Sequence, residues 1–154
     1  MRRTPKPYSD LYLKDVQLNI GYMCELACQL GIPLSEILSR FSISSIALQI
    51  ERANPHYMVG LSAIEYIKYL YPEKDYNYKD CDFVYGMNFW CGWAFAYLEW
   101  YTGLDFRSLY RVVPAERLLI MYGAYHSMGI GHLDRFADEY VLNDNVIRTK
   151  VWGN

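Results

Sequence analysis

The side chains able to do chemistry are few and widely set: His56, His126 and His132, and the cysteines Cys24, Cys28, Cys81 and Cys91. His126, His132 and Asp134 can be drawn around one metal ion. Ligands on a single helix stand three or four residues apart, however, and Gly129 and Gly131 interrupt any helix between the two histidines. The cysteine spacings fit no Cys-x-x-Cys zinc or redox pattern. Cys24 and Cys28 lie one helical turn apart on an apolar face, where a reduced cysteine behaves as a small hydrophobe. His56 has Glu51 and Arg52 close by in sequence, a grouping that suits a surface contact better than a general base. No Ser or Cys occupies a nucleophile elbow, and no glycine loop is built to cradle phosphate. The residues therefore predict no catalytic group, no metal and no cofactor, and the chain is expected not to be an enzyme. What remains is recognition. The chain has 16 tyrosines, a residue enriched where one end of a ring is dry and the other wet, as at protein interfaces.

Composition narrows the class of partner. With 154 residues the chain has the size of one domain and can bury a sizeable core. Residues 1–71 carry seven Lys/Arg against six Asp/Glu, and residues 72–154 carry eight against eleven. Neither half has the basic surplus that nucleic-acid binding leaves on a sequence, and the acidic second half suits a basic partner. The opening MRRTPKPYSD has basic residues but no apolar run or small-residue cleavage site, so it does not read as a signal peptide. A cytoplasmic protein is expected.

The element that must organise everything else is FVYGMNFWCGWAFAYLEWY, residues 83–101, in which only Asn88 and Glu99 are strongly polar. A helix apolar around its whole circumference is buried in a core or in lipid. Glu99, Asn88 and the polar flanks argue against lipid, so a central helix is predicted, with Trp90, Trp93, Tyr97 and Trp100 as structural core. Around it the chain reads as all-α, a single multi-helix domain over residues 10–154. Residues 1–9, with two prolines and three basic side chains, are expected to form a mobile arm. Apolar residues at threes and fours predict a helix from about residue 10 to Leu30, stopped by Gly31. Short helices follow around Glu36–Phe41 and Ile46–Arg52. Ala53-Asn54-Pro55 is a break, Ser62 caps a helix to Tyr71, and the polar run 72–82 is a linker. After Gly103, helices are expected at 105–112, 114–125 and 132–142, followed by a tail whose Val146, Ile147, Val151 and Trp152 could dock as strand or coil.

The two halves also align with each other. At an offset of 72, residues 31–52 lie over 103–124, pairing Gly31 with Gly103, Ile37 with Leu109, Phe41 with Val113 and Ile46 with Leu118. After a shift of three, Gly60-Leu61 meets Gly129-Ile130 and Ile64 meets Leu133. This predicts two related helical units, 13–70 and 85–139, packed around helix 83–101.

Two resemblances add to the residues. Within 25–70, Gly31, Glu36, Ile50-Glu51-Arg52, Pro55 and the helix Leu61–Leu70 stand where Xre-type helix-turn-helix domains have matching features. That resemblance implies a DNA-binding regulator. Yet Ser42 replaces the turn glycine, and Ile46, Ala47 and Leu48 stand where base reading needs Arg, Lys, Asn or Gln. Only Gln49, Arg40 and Arg52 are at hand there. The second resemblance covers most of the chain and rests on Trp90, Gly92, Trp93, Ala96, Tyr97, Trp100, Met121, Tyr122, His126, Asp134 and Phe136. These residues resemble a family of small helical proteins of gut bacteria encoded near toxin-like genes, which implies an antitoxin. The family usually has an acidic residue after the histidine, where this chain has Ser127.

Together these readings predict a protein-binding antitoxin or inhibitor that neutralises a partner protein by complex formation, with no membrane association. The partner would be a toxin-like enzyme or a defence enzyme. The expected contact residues are Glu51, Arg52, Asn54, His56, Tyr57 and His126, with Tyr57 as an aromatic anchor in an exposed linker. A helix-turn-helix DNA-binding regulator and a phage-type inhibitor of a host defence enzyme are the alternatives.

Overall fold

A computed structural model describes residues 5–143. The predicted all-α class holds, with no strand among the described residues. The helices are α1 (Leu13–Gln29), α2 (Leu34–Ser42), α3 (Ser45–Glu51), α4 (Pro55–Met58), α5 (Ala63–Leu70), α6 (Met87–Thr102), α7 (Phe106–Val112), α8 (Ala115–Tyr125) and α9 (Gly131–Phe136). Single 3-10 turns lie at Asp10–Tyr12 and Tyr78–Asp80, and α9 runs on into a π-helical turn, Ala137–Val141. The expected tail contacts of Val146, Ile147, Val151 and Trp152 lie outside the described residues.

Local signals set most boundaries. Ser44 caps α3 by accepting from the Ala47 N–H, Ser62 and Glu65 form a reciprocal capping box on α5, and Asp105 caps α7 through Ser108 N. Such caps satisfy N–H groups that have no partner inside the helix. Gly31 and Gly103 follow the two long helices with φ of 89° and 74°, in the left-handed region that an L-residue with a side chain rarely enters. Segments 13–70 and 85–139 each open on a long helix followed by a left-handed glycine, after which the first has four shorter helices, α2 to α5, and the second three, α7 to α9.

α1 and α6 make the most extensive helix contact of the described residues and run in opposite directions, since Gln17 meets Trp93, Gly21 meets Phe89 and Glu25 meets Gly86. They touch at glycines. A Cβ on Gly92 would lie 2.6 Å from the Ile20 carbonyl oxygen and 3.0 Å from the Gly21 Cα, and one on Gly21 would lie 2.7 Å from the Phe89 ring. The remaining helices cover this pair: α5 lies against α1, α8 and α9 against α6, and α2 packs on both α1 and α7.

Four expectations change. The central helix begins at Met87, not Phe83, because Gly86 is extended and residues 83–85 run ahead of it as loop. Within that helix Tyr97 is buried, whereas Trp90, Trp93 and Trp100 are only half-buried. The sealed positions are held by Ala94, Phe95, Ala96 and Leu98 together with Phe89, Tyr97 and Tyr101, while Trp90 faces Tyr122 and Trp100 faces Tyr8 at the edge. The break at 53–55 contains a helical turn, α4, with Pro55 at its first position and Asn54 as its cap, the one place where proline's missing N–H costs nothing. Finally, residues 5–9 are not a free arm. Tyr8 is buried, its carbonyl accepts from Trp100 Nε1 at 2.9 Å, and Lys6 Nζ donates to the Tyr101 carbonyl at 3.1 Å. Residues 1–4 lie outside the described residues.

Candidate functional site

The most prominent surface feature starts with a polar clamp. Gln29, on the last turn of α1, brackets the backbone of Asp82: its Nε2 donates to the Asp82 carbonyl at 2.9 Å and its Oε1 accepts from the Asp82 N–H at 2.8 Å. One helical turn earlier, Glu25 accepts from the Phe89 N–H at 3.3 Å and from Gln29 Nε2 at 3.1 Å. A carboxylate at a helix N-terminus is favoured by the helix dipole and the open N–H groups. The clamp and the carboxylate fix both ends of 82–89 on α1, and the side chains between them turn outward.

Phe83 and Tyr85 are 55 % and 73 % exposed, and Val84 and Met87 are also exposed. They gather on Tyr22 of α1, whose ring centre lies 5.2 Å from Phe83, 5.9 Å from Tyr85 and 4.9 Å from Phe89. Tyr85 and Phe89 stand 4.8 Å apart, edge to face. Hydrogen bonding to Tyr85, then burial, push the Tyr22 hydroxyl up to about 12, so that hydroxyl keeps its proton over the physiological range. Its border is acidic, with Asp80 and Asp82 exposed just before Phe83, and the neighbouring hollow of α1 and the α4–α5 loop includes Asp15, Val59 and Glu65. Contiguous exposed apolar side chains rimmed by charge are a mark of binding surfaces.

The six residues expected to bind a partner fall into three groups. Arg52 and His56 are exposed. Glu51, Asn54 and Tyr57 are tied into the fold. Glu51 Oε2 accepts from Phe106 N at 2.7 Å and so holds the start of α7, Asn54 caps α4 and donates to Gln49 Oε1 at 3.0 Å, and the Tyr57 carbonyl accepts from the Tyr66 hydroxyl while its ring packs on the core. His126 belongs to another part of the surface. Its Nδ1 lies 2.6 Å from the Tyr122 carbonyl and its ring stacks on Tyr122, which meets Trp90 of α6 edge to face. Asp134, drawn with the histidines in the metal pattern, instead accepts from the Tyr97 hydroxyl.

The sequence reading missed two features. Phe83, Val84 and Tyr85 were absorbed into the central helix, although Gly86, a residue type favoured at N-caps, marks where helix and ledge divide. The other is Glu99. It is 0 % exposed, neither carboxylate oxygen has a hydrogen-bond partner, and the Tyr8 hydroxyl nearby is likewise buried and unpartnered. Burial pushes the Glu99 carboxyl well above its ordinary range, and Glu51 and Asp105 add to the shift. Glu51 is itself raised by burial, against the lowering effect of its bond to Phe106 N.

Among the described residues no group of three His, Cys, Asp or Glu could hold a metal ion, and no helix is long and apolar enough to cross a membrane. Comparison with family models, curated proteins and solved structures finds no match to this chain.

Proposed function

We propose that the chain is a protein-binding inhibitor of the antitoxin kind, which neutralises a basic partner protein by covering it with the ledge of Tyr22, Phe83, Val84, Tyr85 and Met87. The observation that carries this reading is the outward, pre-positioned set of aromatic side chains between the Gln29 clamp and the α6 N-terminus. Interfaces draw most of their energy from a few such anchors, and rings held by backbone bonds lose little freedom on docking. The rim of Asp80 and Asp82 selects for positive charge opposite. Arg52 and His56 are available as secondary contacts, while Glu51, Asn54 and Tyr57 contribute by shaping the loop that presents them. The resemblance to proteins encoded near toxin-like genes supports the same assignment. A phage-type inhibitor of a defence enzyme would use the same surface and differ only in its target. On this reading segments 13–70 and 85–139 are related units that together frame α1 and α6.

Co-expression with the product of the adjacent gene in the native host tests the proposal. The expected result is rescue from toxicity, with the two proteins co-purifying. Phe83→Ala with Tyr85→Ala should weaken the complex about a hundredfold, as the loss of two aromatic anchors at about 1–2 kcal/mol each, with the melting temperature of the free chain held. A neighbouring product that is harmless alone, or that stays toxic beside this chain, would falsify the assignment. Full rescue by the double variant would instead remove the ledge as the contact.

A further inference from the structure

A second feature, independent of the ledge, lies between α2 and α7. Here a cleft of about 430 Å³ is lined by Glu36, Ser39, Arg40, Ser42 and Ile43 from one side and by Arg107, Tyr110 and Arg111 from the other. Three arginines and a single acidic residue thus line one cleft, in a chain whose formal net charge is −2. We propose that this cleft binds the phosphate group of a small phosphate monoester.

Arg40 and Arg107 stand on the two sides of the cleft. Arg40 is held at the edge by donating from Nη1 to the Leu70 carbonyl at 3.2 Å and by lying 4.2 Å over the Tyr71 ring. Tyr71 in turn donates to Glu36 Oε2 at 2.6 Å, so the one carboxylate of the cleft already has a donor. The Arg107 guanidinium has no hydrogen-bond or ion-pair partner among the described residues and is exposed. A guanidinium presents paired N–H donors that match the oxygens of a phosphate.

The second observation is Ser42. It lines the same cleft, is only 5 % exposed, and its hydroxyl has no hydrogen-bond partner. A buried hydroxyl left without a partner is the exception in folded proteins and asks for an explanation. The hydroxyl is closed to solvent here, and rotation of the side chain about χ1 into the cleft would bring it to an oxygen of the bound ester.

The size of the ligand follows from charge and shape. Beyond Arg107 the cleft opens into a second hollow that contains Glu51 and Asp105, and Glu36 stands in the first. Carboxylates therefore fence the arginines at both ends. A compact anion fits between them, whereas a continuous polyanion such as duplex DNA would have to cross them, and its affinity depends on the number of phosphates neutralised. Ile43, 68 % exposed, and the Tyr110 ring provide an apolar wall for the organic part of the ester.

The test uses the full-length chain titrated with phenyl phosphate, inorganic phosphate and a short DNA duplex at constant ionic strength, followed by backbone amide NMR. Saturable shifts on residues 36–43 and 107–111 are expected, with phenyl phosphate binding more tightly than inorganic phosphate. Arg107→Gln should weaken phenyl phosphate about tenfold or more, as the loss of a charge-assisted hydrogen bond. Arg107→Lys should fall between, because it keeps the charge and loses the fork. Ser42→Ala should weaken binding severalfold without lowering the melting temperature. The proposal is overturned by the absence of saturable shifts, by equal affinity in Arg107→Gln, by inorganic phosphate binding as tightly as the ester, or by the duplex binding more tightly than phenyl phosphate.

Discussion

Glu99 makes the sharpest statement about this molecule at the scale of one residue. A fully buried carboxyl with no partner is held in its neutral form, because burial and the charges of Glu51 and Asp105 all disfavour ionisation. The direction of the pH effect follows. Between the ordinary carboxyl range near 4.5 and the raised value in the folded chain, the folded state keeps a proton that the unfolded state releases. Stability contributed by the neutral carboxyl is therefore present at low pH and falls as pH rises through this window, by about 1.4 kcal/mol for each pH unit crossed. Glu99→Gln should then be more stable than the parent at neutral pH, and the difference should close as the pH is lowered to about 4. Urea melts of the two proteins at a series of pH values measure it, and a constant difference would remove the neutral-carboxyl account. Ala53 offers a second residue test. Its φ of 60° puts a Cβ in the left-handed region at a cost of about 1–2 kcal/mol. Ala53→Gly should recover part of that, and an unchanged or lower melting temperature would contradict it.

Among elements, α6 shows how burial and side-chain size can part company. Phe95 is fully buried against Phe106, with ring centres 5.8 Å apart, while Trp93 on the same helix is half-buried. Phe95→Ala should thus cost about 3–5 kcal/mol, as for a truncated core aromatic, and Trp93→Ala distinctly less despite its larger ring. Chemical denaturation of the two variants ranks them, and the reverse order would show that the core centre lies elsewhere. The glycine contact makes the complementary point. In Gly92→Ala the new methyl would sit 2.6 Å from the Ile20 carbonyl oxygen, which is backbone and cannot swing away. A substitution that normally favours helix by about 1 kcal/mol should here destabilise, whereas Gly123→Ala on α8, with open space at its Cβ, should do the opposite.

For the whole molecule, the central contact joins the halves and not the residues within one half. α1 buries Val16, Ile20 and Cys24, and its glycine face is closed by α6, some seventy residues away in sequence. Fragments covering 10–71 or 85–143 should each fail to fold alone, and mixing them should restore helix content and a cooperative melt. A stable isolated half would place the core within the units. The relation of the two halves has its own test: superposition of 13–70 on 85–139 should match α1, α2, α3 and α5 with α6, α7, α8 and α9, and unrelated helix directions would remove the kinship that the paired glycines suggest.

Much of the architecture was legible before any coordinates, and for local reasons. Helix class and order, the stops at Gly31 and Gly103, the cap at Ser62 and the polar linker 72–82 all depend on spacing and on side chains within a few residues of each other. The antitoxin reading, by contrast, came from resemblance and has no such local basis. Tertiary structure alone decided which apolar residues are inside. Phe83 and Tyr85 look like core in the sequence and face outward because Gln29 and Glu25, more than fifty positions earlier, hold their backbone. The tryptophans look like the centre and sit at its edge, because Trp90 faces Tyr122 of α8 and Trp100 faces the chain at Tyr8. Arg40 and Arg107, 67 positions apart in the chain, share a cleft only because α2 packs on α7. Hydrophobicity says that a side chain favours burial, but burial is settled by which surfaces meet, and that depends on residues remote in sequence.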